Sequence, residues 1–271
     1  MKELLIVTMT SYGKRLLNIP VVFDTIFAQT VKPDLVVLNI SIDETVPQCV
    51  MDYLVQHNVE INLVPDTKVY KKLIPTLNNY PEACVICIDD DFLYPERMIA
   101  DFLWMHEQYP NNPISGNRVV VNGLQCHCGC ASMTKAHYYG EYLSQIDDDV
   151  IQHCPSDDML FTFFAAKNGH PYLRTNEEYF INLNECSVDS SEGYSKAIGD
   201  EVGIMRTLDY LQDRFGPIRD VIGLYIQDKH IAVVLESIQT NLLIQTEKKI
   251  RSSLAYRLGK ALLTPFKLFK R

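Results

Sequence analysis

Residues 83–95 read "ACVICIDDDFLYP", an apolar run that ends on three adjacent carboxylates. The run 83–88 is short, β-rich and uncharged, as expected of a strand covered on both faces. Asp89, Asp90 and Asp91 stand at its carboxyl end. Like charges in such a place repel one another and lose solvation beside the buried strand. An Asp ahead of a helix starting near Pro95 is an ordinary N-cap, which accounts for one carboxylate and leaves two. In an extended chain Asp89 and Asp91 point to one side and Asp90 to the other. Such a pair suits a hard divalent cation, because Mg²⁺ and Mn²⁺ prefer oxygen ligands and bridge carboxylates to phosphates.

The flanking sequence gives the run its setting. Strand-like segments at 3–11, 34–41, 60–66 and 83–88 alternate with helix-like segments at 17–30, 46–58, 70–80 and 95–109. That order indicates βαβ units. Two later strand-like segments, "NRVVVNG" and "CGCASM", make the sheet mixed. The expected fold class is α/β, with a mixed, mainly parallel central sheet and helices on both faces. Ligands of such sheets bind beyond the carboxyl ends of the strands, where the aspartates lie. Three regions are expected: a catalytic domain over 1–185, an extension over 186–246 completing the acceptor side, and a helical tail over 247–271.

Composition narrows the function. The chain has 271 residues, 47% hydrophobic and 22% charged, enough for a large globular core. No apolar run approaches the roughly 20 residues of a membrane-spanning helix. The first residues read as a strand rather than a signal peptide, and eight cysteines in so core-rich a chain read as free thiols. Both point to the cytoplasm. The net charge is −9, but residues 248–271 hold eight basic side chains and no acidic ones. The body before them therefore carries about −17, which argues against nucleic acid as a partner.

A second acidic block, "PSDDMLFTFFAAKNGHPY", occupies 155–172. Ser156 is placed to cap a helix whose first turn carries Asp157 and Asp158. Capping and the helix dipole explain acidic residues there without any chemistry. A general base explains them as well, because neighbouring carboxylates raise one another's proton affinity. The segment "CHCGC" at 126–130 invites a zinc reading, but alternate residues of a strand do not match the usual ligand spacing. His153 and His170 read as structural.

Three blocks in order, "VTMTSYGKRLLNIPVVFDTIFAQTVKPDLVVLNIS", "YKKLIPTLNNYPEACVICIDDDFLYP" and "SDDMLFTFFAAKNGHPY", resemble bacterial glycosyltransferases of the glycosyltransferase-A fold that build surface glycans. The resemblance implies a metal-dependent, inverting transfer from a nucleotide-sugar donor, UDP-linked, to a glycan or lipid-linked saccharide acceptor. It implies Asp91 as a direct ligand of Mn²⁺ or Mg²⁺, with Asp89 on the metal or the ribose. Thr10, Ser11, Tyr12 and Arg15 would meet the nucleotide, and Asp66 would lie near the base. Asp89 and Asp90 are counted with this nucleotide-binding set. Gly129 would allow close backbone approach to the donor sugar, and Asp158, with Asp157 second, would be the base. Lys72 would face the diphosphate as a point charge; on a helix one of Lys71 and Lys72 points outward, so only one of the two is a candidate. Arg118 is a further phosphate candidate. The segment 191–204 matches the family only loosely, so Lys196 and Asp200 receive no role.

The tail, "IRSSLAYRLGKALLTPFKLFKR", puts Ile250, Leu254, Leu258, Leu262, Phe266 and Phe269 on one helical face, with basic residues off it. It reads as an anchor on the inner face of the plasma membrane, or as a helix docked on the acidic body. Two other readings of the chain compete. A metal-dependent nucleotidyltransferase would want a Gly-rich phosphate loop after the first strand, and "TMTSYGKR" has one Gly. A membrane-associated scaffold would use both acidic clusters only as caps.

Overall fold

The apolar run forms strand β4 (Cys84–Ile88), and every residue of it is buried. It lies between β1 (Leu5–Thr10), to which it is parallel, and β9 (Ala131–Thr134), to which it is antiparallel. The computed structural model describes residues 3–116, 119–175, 181–182, 201–218, 220–221 and 224–225. Among them, β2 (Leu35–Ser41), β3 (Glu60–Val64), β6 (Ile114–Ser115) and β10 (Leu173–Arg174) join the same sheet. Its seven strands run in the order β10-β6-β9-β4-β1-β2-β3. The half from β4 to β3 is parallel, and β9 supplies the antiparallel element. The mixed, mainly parallel sheet with helices on both faces is thus observed. Beyond the aspartates, β5 (Phe92–Leu93) pairs antiparallel with β11 (Ile181–Asn182) in a separate ribbon.

Alternation along the strands divides the core in two. Leu5, Val7 and Met9 of β1 pack with helices α1 (Ile19–Phe27), α2 (Gln48–Gln56) and α4 (Met98–Gln108). On the other face Ile6, Val85 and Cys87 meet α3 (Ile74–Asn79), α6 (Asp157–Lys167) and α7 (Glu201–Phe215). From Met159 to Ala166 every residue of α6 is buried, as in a helix enclosed all round. Between β9 and α6 the chain forms a kinked 3₁₀ segment (Ala136–Gln145) and helix α5 (Asp148–His153).

Three local expectations are corrected. The helices expected over 17–30 and 70–80 open as 3₁₀ turns, Gly13–Asn18 and Lys68–Lys72, before α1 and α3 begin. Pro20 and Pro75 explain the late start, since proline fits the first turn of an α-helix and clashes within it. Lys71 and Lys72 are both buried, so neither points outward. Each has a carboxylate partner, Asp66 for Lys71 and Asp89 for Lys72. Finally, residues 126–130 form a loop rather than a strand. The Ser132 hydroxyl, which accepts from Cys128 N (2.8 Å) and donates to Cys128 O (2.9 Å), closes a turn there.

Of the segment 117–123, residues Val120–Val121 form β7, paired with β8 (Leu124–Gln125) across an Asn122–Gly123 turn. Both turn residues have positive φ, 48° and 83°, as a tight hairpin of this kind requires. The readings placed on Arg118, Lys196, Asp200 and the tail lie outside the described residues.

Gln29, fully buried after α1, ties that helix to the start of α4. Its amide donates to Thr25 O (3.0 Å) and Pro95 O (2.8 Å), and its oxygen accepts from Ile99 N (3.0 Å). Gln29→Leu keeps the bulk and strips these partners, so denaturant unfolding should show a loss of at least about 2 kcal/mol. An unchanged midpoint would mean that this clasp contributes nothing.

Candidate active site

Two polar layers meet at the carboxyl end of β4. The deeper layer fixes the backbone. Thr8 Oγ1 donates to Lys72 O (2.8 Å), while Asn39 Nδ2 donates to Thr8 Oγ1 and Thr76 Oγ1, both at 2.9 Å. Asn62 Nδ2 closes the layer on Asn39 Oδ1 (2.9 Å). These buried groups join β1, β2 and β3 to the turn bearing Lys72.

The upper layer carries the charges. Lys72, 4% exposed, places Nζ 2.7 Å from Asp89 Oδ1 and 3.1 Å from Asp157 Oδ2. One ammonium therefore joins the end of β4 to the start of α6. Gly129 lies against it: a Cβ there would stand 2.5 Å from Lys72 Nζ and 3.5 Å from oxygens of Asp158 and Asp89. Gly129 N donates to Asp158 Oδ1 (2.9 Å), and Asp158 Oδ2 makes no hydrogen bond among the described residues. Ser156 caps α6 through Asp158 N (3.3 Å). The capping account of the second block is therefore correct for Ser156, while both aspartate side chains reach into the cluster.

Asp90 has a different environment. It is buried and takes the Ser11 hydroxyl (2.6 Å) and the Arg15 guanidinium. Arg15 also reaches Asp91 Oδ2 (3.1 Å) and lies over the Tyr12 ring. The aspartates thus do not divide cleanly into two facing one way and one the other. Asp89 meets Lys72, while Asp90 and Asp91 share Arg15. Thr10 Oγ1 donates to Asn39 O (2.7 Å). Asp66 is bonded to Lys68 and Lys71, which bring its pKa down to about 2, and none of its contacts is with the aspartate cluster.

Tyr94 and Cys130 belong to the site and were not legible as such. The Tyr94 hydroxyl accepts from Asp89 N (3.0 Å) and donates to Cys130 O (2.6 Å), so it links the aspartate turn to the Gly129 loop. Its position after "DDDFL" was the available signal.

Charge is unevenly compensated. Burial alone would raise the proton affinity of Asp89, but Lys72 outweighs it and the pKa falls. Asp91 goes the other way, to about 6, through burial and the charge of Asp89. Asp158 rises to about 7 through burial and its neighbour Asp157. Asp89, Asp91, Asp157 and Asp158 thus hold more negative charge than Lys72 and Arg15 relieve. All-oxygen donors with surplus charge fit a hard divalent cation, for which Asp91 and Asp89 are the candidate ligands. At the amino-terminal edge of the sheet Glu3, Cys84 and His106 also converge, within 4.8 Å. There Lys135 Nζ lies 2.5 Å from Glu3 Oε1, so that group already has a cation from the chain itself.

No family model matches the chain, and no curated protein matches it in sequence. In three dimensions it is similar to the mannosyltransferase PcManGT from Pyrobaculum calidifontis, solved with GDP-Man and Mn²⁺. That match has 16% identity and a TM-score of 0.60, over 97% of this chain and 85% of the other. The fold is of the glycosyltransferase-A type. Looser matches are S. aureus TarS (15% identity, TM-score 0.46, 81% of this chain and 44% of that one) and 4-diphosphocytidyl-2C-methyl-D-erythritol synthase (12%, 0.44, 68% and 93%).

Asp158→Asn can keep the bond from Gly129 N while removing a charge that burial and Asp157 disfavour. At pH 8 the variant should melt at or above the parent temperature, as expected where a functional group is held against its preference. A clear fall in melting temperature would mean that the carboxylate stabilises the fold.

Proposed function

We propose that the chain is a metal-dependent, inverting glycosyltransferase that moves a sugar from a nucleoside diphosphate to an acceptor hydroxyl. The observation that carries the reading is the convergence of Asp89, Asp91, Asp157 and Asp158 at the carboxyl end of β4, with more negative charge than Lys72 and Arg15 offset. The ordered sequence blocks and the glycosyltransferase-A fold support it. Proximity to a fold that also serves other chemistries would not be enough alone.

In this reading Asp91 and Asp89 would hold Mn²⁺ or Mg²⁺, which would supply charge stabilisation for the departing diphosphate. Asp158 Oδ2 takes the proton of the acceptor hydroxyl as its oxygen bonds to the anomeric carbon. The anomeric carbon–phosphate oxygen bond breaks, and the nucleoside diphosphate leaves with the electron pair. A carboxylate with a pKa of about 7 is matched to that proton transfer near neutrality. Gly129 N–H holds Asp158 in place, Lys72 supplies positive charge beside the site, and Arg15 keeps the aspartate turn folded. The acceptor is a glycan or lipid-linked saccharide of surface-glycan biosynthesis, as the sequence resemblance implies.

A thermal-shift screen of GDP, UDP and their sugar conjugates, with and without Mn²⁺, tests the reading. Stabilisation should need both metal and one class of nucleotide, and Asp91→Asn should abolish it. With the donor so found, Asp158→Asn should retain that stabilisation and lose transfer by about 100-fold or more. Stabilisation by no combination, or full transfer by Asp158→Asn, would contradict it.

A further inference from the structure

His127 is fully buried in the loop that carries Gly129, yet both of its ring nitrogens face polar atoms. Nδ1 lies 2.9 Å from Tyr172 OH. Nε2 lies 3.6 Å from Cys87 Sγ and 4.0 Å from Asp157 Oδ2. The ring is fixed edge-on against Phe161, and its backbone N donates to Thr162 Oγ1 on α6 (2.7 Å). A residue that merely filled the core would not need two nitrogens aimed in this way.

The hydroxyls behind it set the tautomer. Thr134 Oγ1 donates to Tyr139 OH (2.8 Å), which lies 2.5 Å from Tyr172 OH. Each hydroxyl has one proton to give. With Thr134 donating to Tyr139, the Tyr139 proton goes to Tyr172 and the Tyr172 proton goes to His127 Nδ1. That order of donors puts the imidazole proton on Nε2, between Cys87 Sγ at 3.6 Å and Asp157 Oδ2 at 4.0 Å. Burial and the nearby Lys72 charge keep the ring neutral, so its contribution is a directed N–H rather than a countercharge.

We propose that His127 is a positioning residue: its Nε2–H, oriented by Tyr172, holds the Asp157 carboxylate on Lys72 and leaves Asp158 to act as the base. The inference rests on the transferase reading. Asp157 and Asp158 are adjacent buried carboxylates, and their environments separate them. Asp157 Oδ2 lies 3.1 Å from Lys72 Nζ and 4.0 Å from His127 Nε2, whereas Asp158 takes one backbone N–H. Burial raises the proton affinity of both; Lys72 is the main opposing charge at Asp157, while the charge of Asp157 adds to the rise at Asp158. At 4.0 Å the contact is longer than a hydrogen bond, and in the proposed role it tightens when substrate binds, as catalytic hydrogen bonds often do.

Two measurements test this. In ¹⁵N-histidine-labelled protein, imidazole NMR should show His127 neutral and protonated at Nε2. Tyr172→Phe should turn that signal into a mixture of tautomers. This arm needs no substrate, so it stands or falls independently of the transferase reading. With the donor identified by thermal shift, His127→Phe should lower kcat by about 10- to 100-fold, the usual effect of losing an orienting partner. KM for the donor should stay unchanged, and His127→Gln, which restores an N–H, should recover part of the rate. Tyr172→Phe should show a smaller loss of the same kind, which keeps the test open should His127→Phe not fold. An Nδ1-protonated or charged His127 in the parent, or an unchanged kcat in the folded His127→Phe and Tyr172→Phe variants, would overturn the proposal.

Discussion

The ammonium of Lys72 is the point on which the site depends. It is enclosed by Asp89 from the end of β4, Asp157 from the start of α6 and the backbone of Gly129. Burial alone would drive its proton off, but the two carboxylates outweigh that and hold it charged. Removing one partner from such a buried group typically costs about 3–5 kcal/mol, because the charges left behind lose their compensation. The Thr8–Asn39–Thr76 layer underneath serves the same end, since it fixes the turn from which Lys72 rises. A glycine at 129 follows from that enclosure: any side chain would occupy space that the ammonium needs.

This arrangement makes the two acidic blocks one object. Separately, each has an ordinary explanation, a helix cap in one case and a strand-end turn in the other. Lys72 brings them together, and the negative charge it leaves uncompensated is what a divalent cation would neutralise. Arg15 acts elsewhere in the cluster. Together with Ser11 it takes up Asp90 and keeps three adjacent carboxylates in one turn.

The strand with its terminal aspartates, the parallel half of the sheet and the capped helix α6 were legible, because period, capping and charge are local signals. The fates of Lys71 and Lys72 were not. Helical spacing implied one buried and one exposed lysine, but Pro75 delays the helix and each lysine finds a carboxylate. The loop at 126–130 misled for a related reason: its alternating cysteines imitate a strand, while Ser132 closes a turn that only the folded chain brings together. Tyr94 and His127 were invisible as site residues, since their partners lie on separate elements. An apolar neighbourhood in sequence reveals burial and does not reveal which polar atom a buried ring will face.

The central claim is that the aspartates around Lys72 bind a metal together with a nucleotide. Calorimetric titration of Mn²⁺ into the protein, with GDP or UDP present, tests it most directly. One Mn²⁺ per chain should bind the parent and Asp66→Asn, and that binding should disappear in folded Asp91→Asn. Undiminished Mn²⁺ binding by Asp91→Asn would contradict the account.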